Sequence, residues 1–156
     1  MAQVFTQPLA RPAGGQTEEV LIAAATQAGV SWMQGIMKDI RAKRVYEPAN
    51  ARDGFRVLVD RVWPRGVTKE KLKADLWLKD VAPSTALRKW FSHDQSKWDA
   101  FKSRYFLELD AKPKAVAGLL DEAAKGRVTL LFSSRDVECN QAVALKEYLL
   151  SQQEKR

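Results

Sequence analysis

The 156 residues contain a single cysteine and a single histidine. One Cys excludes an internal disulfide framework, and one Cys with one His excludes a zinc site of the usual ligands built within one chain. No metal or cofactor is implied. Long apolar runs are missing too. The longest aliphatic stretch, residues 20–25, spans six residues, against the roughly 20 that a membrane-crossing helix needs. No basic segment, apolar stretch and small-residue cleavage site follow Met1 in the order of a secretory leader. A soluble cytoplasmic protein with no membrane partner is therefore expected. Signature motifs are absent as well: there is no G-x-x-x-x-G-K-[ST] loop, no G-x-G-x-x-G, no G-x-S-x-G and no H-E-x-x-H. Leu145 stands six positions after Cys139, where a phosphatase-type cysteine loop carries Arg. These absences argue against the common nucleotide-dependent and hydrolase classes.

Against them stands a chain that is 46% hydrophobic with five Trp, enough for one real core and one ordinary domain. Acidic residues are in the minority, 19 against 26 Lys and Arg, for a net charge of +7. Residues 1–37 hold only Arg11, Glu18 and Glu19 among charged groups, so residues 38–156 carry 25 basic and 17 acidic residues. That excess favours an anionic small molecule or nucleic acid as partner.

Composition also changes near residue 38. Residues 1–37 read as an N-terminal extension, a flexible arm opening with Pro8, Pro12, Gly14 and Gly15. A short helix is expected over 17–28, with Thr17 as N-cap. Translation starting at Met37 and a loosely packed extension that docks or dimerises are both compatible with this pattern. Residues 38–151 read as α/β, followed by a tail at 152–156. Strands are expected at 40–46 and at 55–63, where apolar residues alternate, and residues 76–82 alternate in the same way. Residues 128–132 (VTLLF) form the continuous apolar run of a buried parallel strand. A short helix is expected at 69–73. Ser84 caps the next, Asp94 a longer one, Pro113 opens another that Gly126 closes at a C′ position, and the last spans about 138–150. The order implies a small, mostly parallel sheet covered by helices in a single compact domain.

Three constellations hold candidate chemistry. Asp60-Arg61-Val62-Trp63-Pro64-Arg65-Gly66 runs off a strand end, where open α/β sheets place ligands. There Arg61 and Arg65 could grip a phosphate or carboxylate, or Asp60 could merely brace the turn. Ser133, Ser134, Arg135, Asp136 and Asn140 follow the buried strand and face a helix N-terminus. They offer either an anion cradle or ordinary capping. Arg88 and Lys89 precede His93, whose unperturbed pKa lies near neutrality and which is the natural proton-transfer candidate. Cys139 reads as a small buried hydrophobe or, beside Arg135, as a reactive thiol. Tyr105 reads as core with a hydrogen-bonded tip.

These residues carry a family pattern. RVYEP (44–48), DGFRVLVDRVWPRG (53–66), WLKDVAPSTALRKWFSHD (77–94) and LLFSSRD with the following N-x-AVALKEYL (130–149) closely resemble the domain-of-unknown-function family 488, in its YeaO-like branch. The resemblance implies a compact single α/β domain and no established activity. Its motif positions fall on Asp60, Arg61, Trp63, Pro64, Arg65 and Gly66, and then on Ala82, Pro83, Ser84, Arg88, Trp90, Phe91, His93 and Asp94. Toward the end they fall on Asp136 and Asn140. Cys139 takes a place where His is expected in many relatives, and the extension before Lys38 has no counterpart. The resulting expectation is a basic, anion- or phosphate-binding cleft. Arg61, Arg65, Arg88, Ser134, Arg135 and Asn140 would be its ligand-binding residues, with His93, Asp60 and Asp136 as catalytic candidates should a phosphate-bearing substrate be turned over. The alternative is a nucleic-acid-binding accessory protein without catalysis.

Overall fold

The computed structural model describes residues 39–155, so the arm and helix expected within residues 1–37 lie outside the described residues. Among the described residues, β1 (Ile40–Arg44), β2 (Phe55–Leu58), β3 (Leu76–Trp77) and β4 (Val128–Phe132) form one parallel sheet in the order β1-β4-β2-β3. Five α-helices accompany them: α1 (Lys69–Leu72), α2 (Thr85–Phe91), α3 (Trp98–Asp110), α4 (Pro113–Lys125) and α5 (Gln141–Lys155). The fold is α/β, a small parallel sheet with helices packed on it, as the alternation of elements implies.

β4 explains the packing. Every residue of VTLLF is buried, and Val128 lies in register with both Ile40 of β1 and Phe55 of β2. A strand covered on both faces and flanked on both edges favours apolar side chains, and its one polar residue, Thr129, donates its hydroxyl to the Asp53 carbonyl at 2.6 Å. Successive side chains point to opposite faces. Val128, Leu130 and Phe132 join Val57 in the larger core, with Phe101 and Tyr105 of α3, Leu119 of α4 and Leu145 of α5. Leu131 points the other way and meets Leu58, Val45 and Leu72 in a smaller core, against which Trp63 and Trp77 pack.

The strands at this end of the sheet are shorter than the alternation predicts. β2 stops at Leu58 instead of 63, with Val59 N–H donating one last bond to the Leu131 carbonyl at 3.1 Å. Beyond it the Asp60 carbonyl accepts from the Trp77 indole at 2.8 Å, so a side chain replaces the ladder. β3 keeps only Leu76 and Trp77. Lys79–Val81 then coils into a 3-10 turn that buries Val81, whose carbonyl accepts from the Tyr105 hydroxyl. Tyr105 is thus core with a hydrogen-bonded tip.

Capping accounts for the helix limits. Ser84 Oγ accepts from Leu87 N–H at 3.1 Å, and the Ser84 amide and hydroxyl donate to the two Glu108 carboxylate oxygens at 2.8 and 2.6 Å. That contact ties α2 to α3. Asp94 caps a 3-10 turn (Gln95–Lys97) that continues into α3. Pro113 occupies the first turn of α4, but Gly126 at its end is extended (φ 164°) rather than left-handed, so the C′ assignment does not hold. α5 starts at Gln141, later than the sequence pattern predicts, because residues 136–140 form its capping loop; it also runs on to Lys155 through most of the expected tail. Among the described residues no helix is long and apolar enough to cross a membrane.

Candidate functional site

Because β2 and β4 are parallel neighbours, their continuations leave the sheet at the same end. Between them, closed off by Ala82, Pro83 and the end of α2, is a hollow of about 390 Å³. Open α/β sheets place ligands at such an end.

Asp60 forms the floor and is only 7% exposed. One carboxylate oxygen accepts from the Ser133 amide at 3.0 Å and the other from the Gln141 side-chain amide. Burial pushes its pKa above the ordinary aspartate value. The bonds from Ser133 and Gln141, and the charge of Arg88, offset this only in part. Arg61 reaches across the hollow's edge. Its Nε donates to the Pro83 carbonyl at 3.3 Å and its Nη2 to the Ala82 and Pro83 carbonyls, both at 3.2 Å. Asp60 therefore braces the β4 loop rather than pairing with Arg61 or Arg65.

The end of α2 supplies the rim. Arg88 and Lys89 are exposed and line the hollow, as does His93. Ser92 and His93 are both left-handed (φ 45° and 58°), which turns the chain sharply after α2 and sets the imidazole beside Phe91, ring centres 6.4 Å apart. No hydrogen bond joins His93 to Asp60 or Asp136.

The opposite wall comes from the β4–α5 loop. Ser134 Oγ accepts from the Asp136 amide at 3.2 Å. Asp136 itself accepts from Gln95 Nε2 and from the amides of Glu138 and Cys139, each at 2.9 Å. Those three bonds, with a smaller pull from His93, hold its carboxyl below the ordinary value. Asn140 Oδ1 accepts from the Val143 amide at 3.0 Å and its Nδ2 donates to the Asp136 carbonyl at 2.8 Å. Both residues do capping work. Burial pushes the Cys139 thiol up, and Asp136 and Glu138 add to the effect, which is the reverse of an activated cysteine.

Of the residues singled out in the sequence, Asp60, Arg61, Arg88, His93, Ser134 and Asn140 line this one hollow. Arg65, Arg135 and Asp136 do not. Arg65 is exposed in the turn with Gly66 (φ 78°), its carbonyl accepting from the Tyr46 hydroxyl at 3.0 Å, and Arg135 is exposed. Gln141 was not foreseen, because nothing in a single sequence pairs position 141 with position 60. Among the described residues no group of three His, Cys, Asp or Glu side chains is placed to hold a metal ion. A second hollow of about 600 Å³ opens beside Tyr46 and Gly66, where Glu47 and Glu70 balance Lys71 and Lys73.

A second buried aspartate, Asp53, lies at the start of β2. It accepts from Lys43 Nζ at 3.0 and 3.1 Å, from the Asn50 amide at 2.9 Å and from the Arg56 guanidinium. Arg56, 4% exposed, also donates to the Leu72 carbonyl at 3.0 Å through Nε. Burial raises the Asp53 pKa, but the Asn50 amide, Lys43 and Arg56 together outweigh it and hold the carboxyl below its ordinary value.

Comparison with known proteins places the chain. A family model described as the inactive DUF488-N3 subclade matches residues 39–156. The uncharacterized protein YeaO of Escherichia coli (strain K12) is 42% identical over 113 residues, covering 72% of this chain and 98% of that protein. The uncharacterized protein Rv3073c of Mycobacterium tuberculosis (strain ATCC 25618 / H37Rv) is 41% identical over 110 residues, covering 70% and 92%. No solved structure matches. The match to the family model runs through every strand and helix described above, and the chain belongs to the DUF488 family, among its YeaO-like members.

Proposed function

We propose that the hollow at the carboxyl ends of β2 and β4 binds a small anionic, phosphate-bearing ligand, and that binding rather than turnover is its task. The observation that carries this is the convergence of Arg61, Arg88, Lys89 and His93 on one hollow that the Ser134 hydroxyl also lines. Guanidinium and hydroxyl donors around a concave surface are the groups that grip phosphate. Two features support binding without catalysis. His93 has no carboxylate hydrogen-bonded to it to fix its tautomer and ring orientation. The matching family is also described as an inactive subclade.

Calorimetric titration with inorganic phosphate and pyrophosphate tests the proposal. Saturable binding that weakens about tenfold or more in Arg88→Ala is expected, since a charge-assisted hydrogen bond contributes about 1.5–3 kcal/mol. Absence of binding, or binding indifferent to Arg88→Ala and Lys89→Ala together, overturns it.

A nucleic-acid partner is a second reading, and one surface favours it. Trp90 is half-buried with Arg104 Cζ 3.9 Å and Lys97 Nζ 5.0 Å from its ring centre, while Lys102 Nζ lies 5.5 Å from that of Trp98. Aromatic faces among cations are what single strands stack on. This reading expects generic oligonucleotides to bind with affinity falling steeply as salt rises; salt-insensitive binding, or none, counts against it.

A further inference from the structure

The anion site just proposed has an odd floor. Simple phosphate would sit above Asp60, a carboxylate of the same sign, and gain nothing from it. Asp60 is nearly buried yet has no cation in hydrogen-bond contact; its bonds come from neutral donors, the amide and hydroxyl of Ser133 and the side-chain amide of Gln141, and Arg88 acts on it only through charge. An ionised carboxylate offers about four lone-pair positions. The backbone and side chain of Ser133 and the amide of Gln141 take three of these, which leaves one on a residue that lines the hollow. Apolar groups, Phe91, Ala82 and Pro83, share the lining with these polar ends. The hollow thus has an acceptor at the bottom, cations at the top and apolar wall around them.

We infer that the ligand is bifunctional: a phosphate-bearing small molecule that also presents an N–H donor, an amine or the amine-bearing edge of a base, to Asp60. The inference rests on the anion-binding reading and adds the second recognition element. The donor end takes up the lone-pair position that a lone anion would leave unused, and it offsets the like-charge repulsion between Asp60 and the phosphate. A ligand that satisfies both ends is selected over one that satisfies the rim alone, because a site built around a buried polar group rejects the analogue lacking its partner. The volume, about 390 Å³, suits a sugar phosphate or a mononucleotide.

Matched probes that differ in one amino group make the test. The unmodified chain is titrated with inorganic phosphate, with glucosamine 6-phosphate against glucose 6-phosphate, and with guanosine monophosphate against inosine monophosphate. In at least one pair the amine-bearing member is expected to bind about tenfold more tightly. The pair that discriminates tells whether an ammonium or a base edge is read. Asp60→Asn is expected to remove that preference and, by lifting the like-charge repulsion, to tighten inorganic phosphate binding; if Asp60→Asn does not fold, the paired comparison on the unmodified chain decides. Phosphate binding with no preference in either pair overturns this inference and leaves the anion site standing. A preference that survives intact in folded Asp60→Asn overturns the role given to Asp60. Failure of every probe, phosphate included, overturns the anion site itself.

Discussion

Asp53 and Asp60 bracket the same strand, one just before β2 and one just after it, and both are buried to a similar degree, 9% and 7% exposed. Their surroundings differ in kind. Asp53 meets two cations and a backbone amide, and its carboxyl is held below the ordinary value. Asp60 meets only neutral donors, the amide and hydroxyl of Ser133 and the side-chain amide of Gln141, and its carboxyl is held above it. A buried charge is tolerated when it is paired and hydrogen-bonded. Asp53 satisfies that rule within the fold and has nothing left to offer. Asp60 is hydrogen-bonded but not neutralised, and it faces a hollow rimmed by cations. Burial alone does not mark a functional carboxylate; the identity of its donors does.

That contrast can be broken at several points. The largest effect is expected from Asp53→Ala, which strands the buried Arg56 guanidinium and the Lys43 ammonium. Removing one partner of a buried pair costs about 3–5 kcal/mol, readable as a fall in the urea midpoint. Equal loss from Asp60→Ala would erase the distinction. Gly54 comes next. It is left-handed (φ 69°), and a Cβ there would collide with the Arg127 carbonyl, which accepts from the Phe55 amide at 2.9 Å at the start of β2. Gly54→Ala is expected to destabilise by at least about 1–3 kcal/mol and to lower the melting temperature. On the other side, Ser84→Ala removes the cap of α2, at about 1 kcal/mol. Because α2 carries Arg88 to the rim, phosphate affinity should fall with it, whereas Gly54→Ala should leave affinity unchanged at temperatures where that variant is folded.

Acid titration sharpens the same comparison through opposite signs. Asp53, lowered in the fold, contributes stability that is present above the ordinary value of 3.8 and lost as pH falls through its depressed folded value. Asp60, raised in the fold, contributes stability present below 3.8 and lost as pH rises through its elevated folded value. Urea midpoints followed from acid to neutral pH should therefore show a flatter acid decline in Asp53→Asn and a steeper one in Asp60→Asn. Parallel profiles would refute the assignment of opposite roles. The smallest change is expected at Arg88→Ala, an exposed side chain whose removal should leave stability within about 0.5 kcal/mol while ligand affinity drops.

Local signals were legible where one stretch of chain determines its own structure. VTLLF reads as a buried strand because it is β-branched and apolar with no charged residue in it, Ser84 and Pro113 mark helix starts by their own chemistry, and the apolar residues of α3 recur at helical spacing. Strand ends were not legible: β2 and β3 stop early because Trp77 and the coil at Lys79–Val81 take over their hydrogen bonding, which depends on partners distant in sequence. The site shows the same division. Six expected residues line one hollow, since strand exits in a parallel sheet share an end. Arg65 and Arg135 do not line it, because alternation along a strand says nothing about where a turn residue points once the strand is over. The Lys43–Asp53–Arg56 network was invisible for a related reason: the three residues come from β1, the turn before β2, and β2 itself, and only their assembly makes them neighbours.

The position of β4 has one more consequence. It is last of the four strands in sequence and yet sits between the first two, so β1 has no strand to pair with until residues 128–132 have left the ribosome. Until then β2 is joined to β3 by only two residue pairs, and the apolar edges that β4 will cover stay open to solvent and to other chains. The nascent chain thus waits for residues 128–132 before its sheet can close, a delay inherent in a sheet ordered around its final strand.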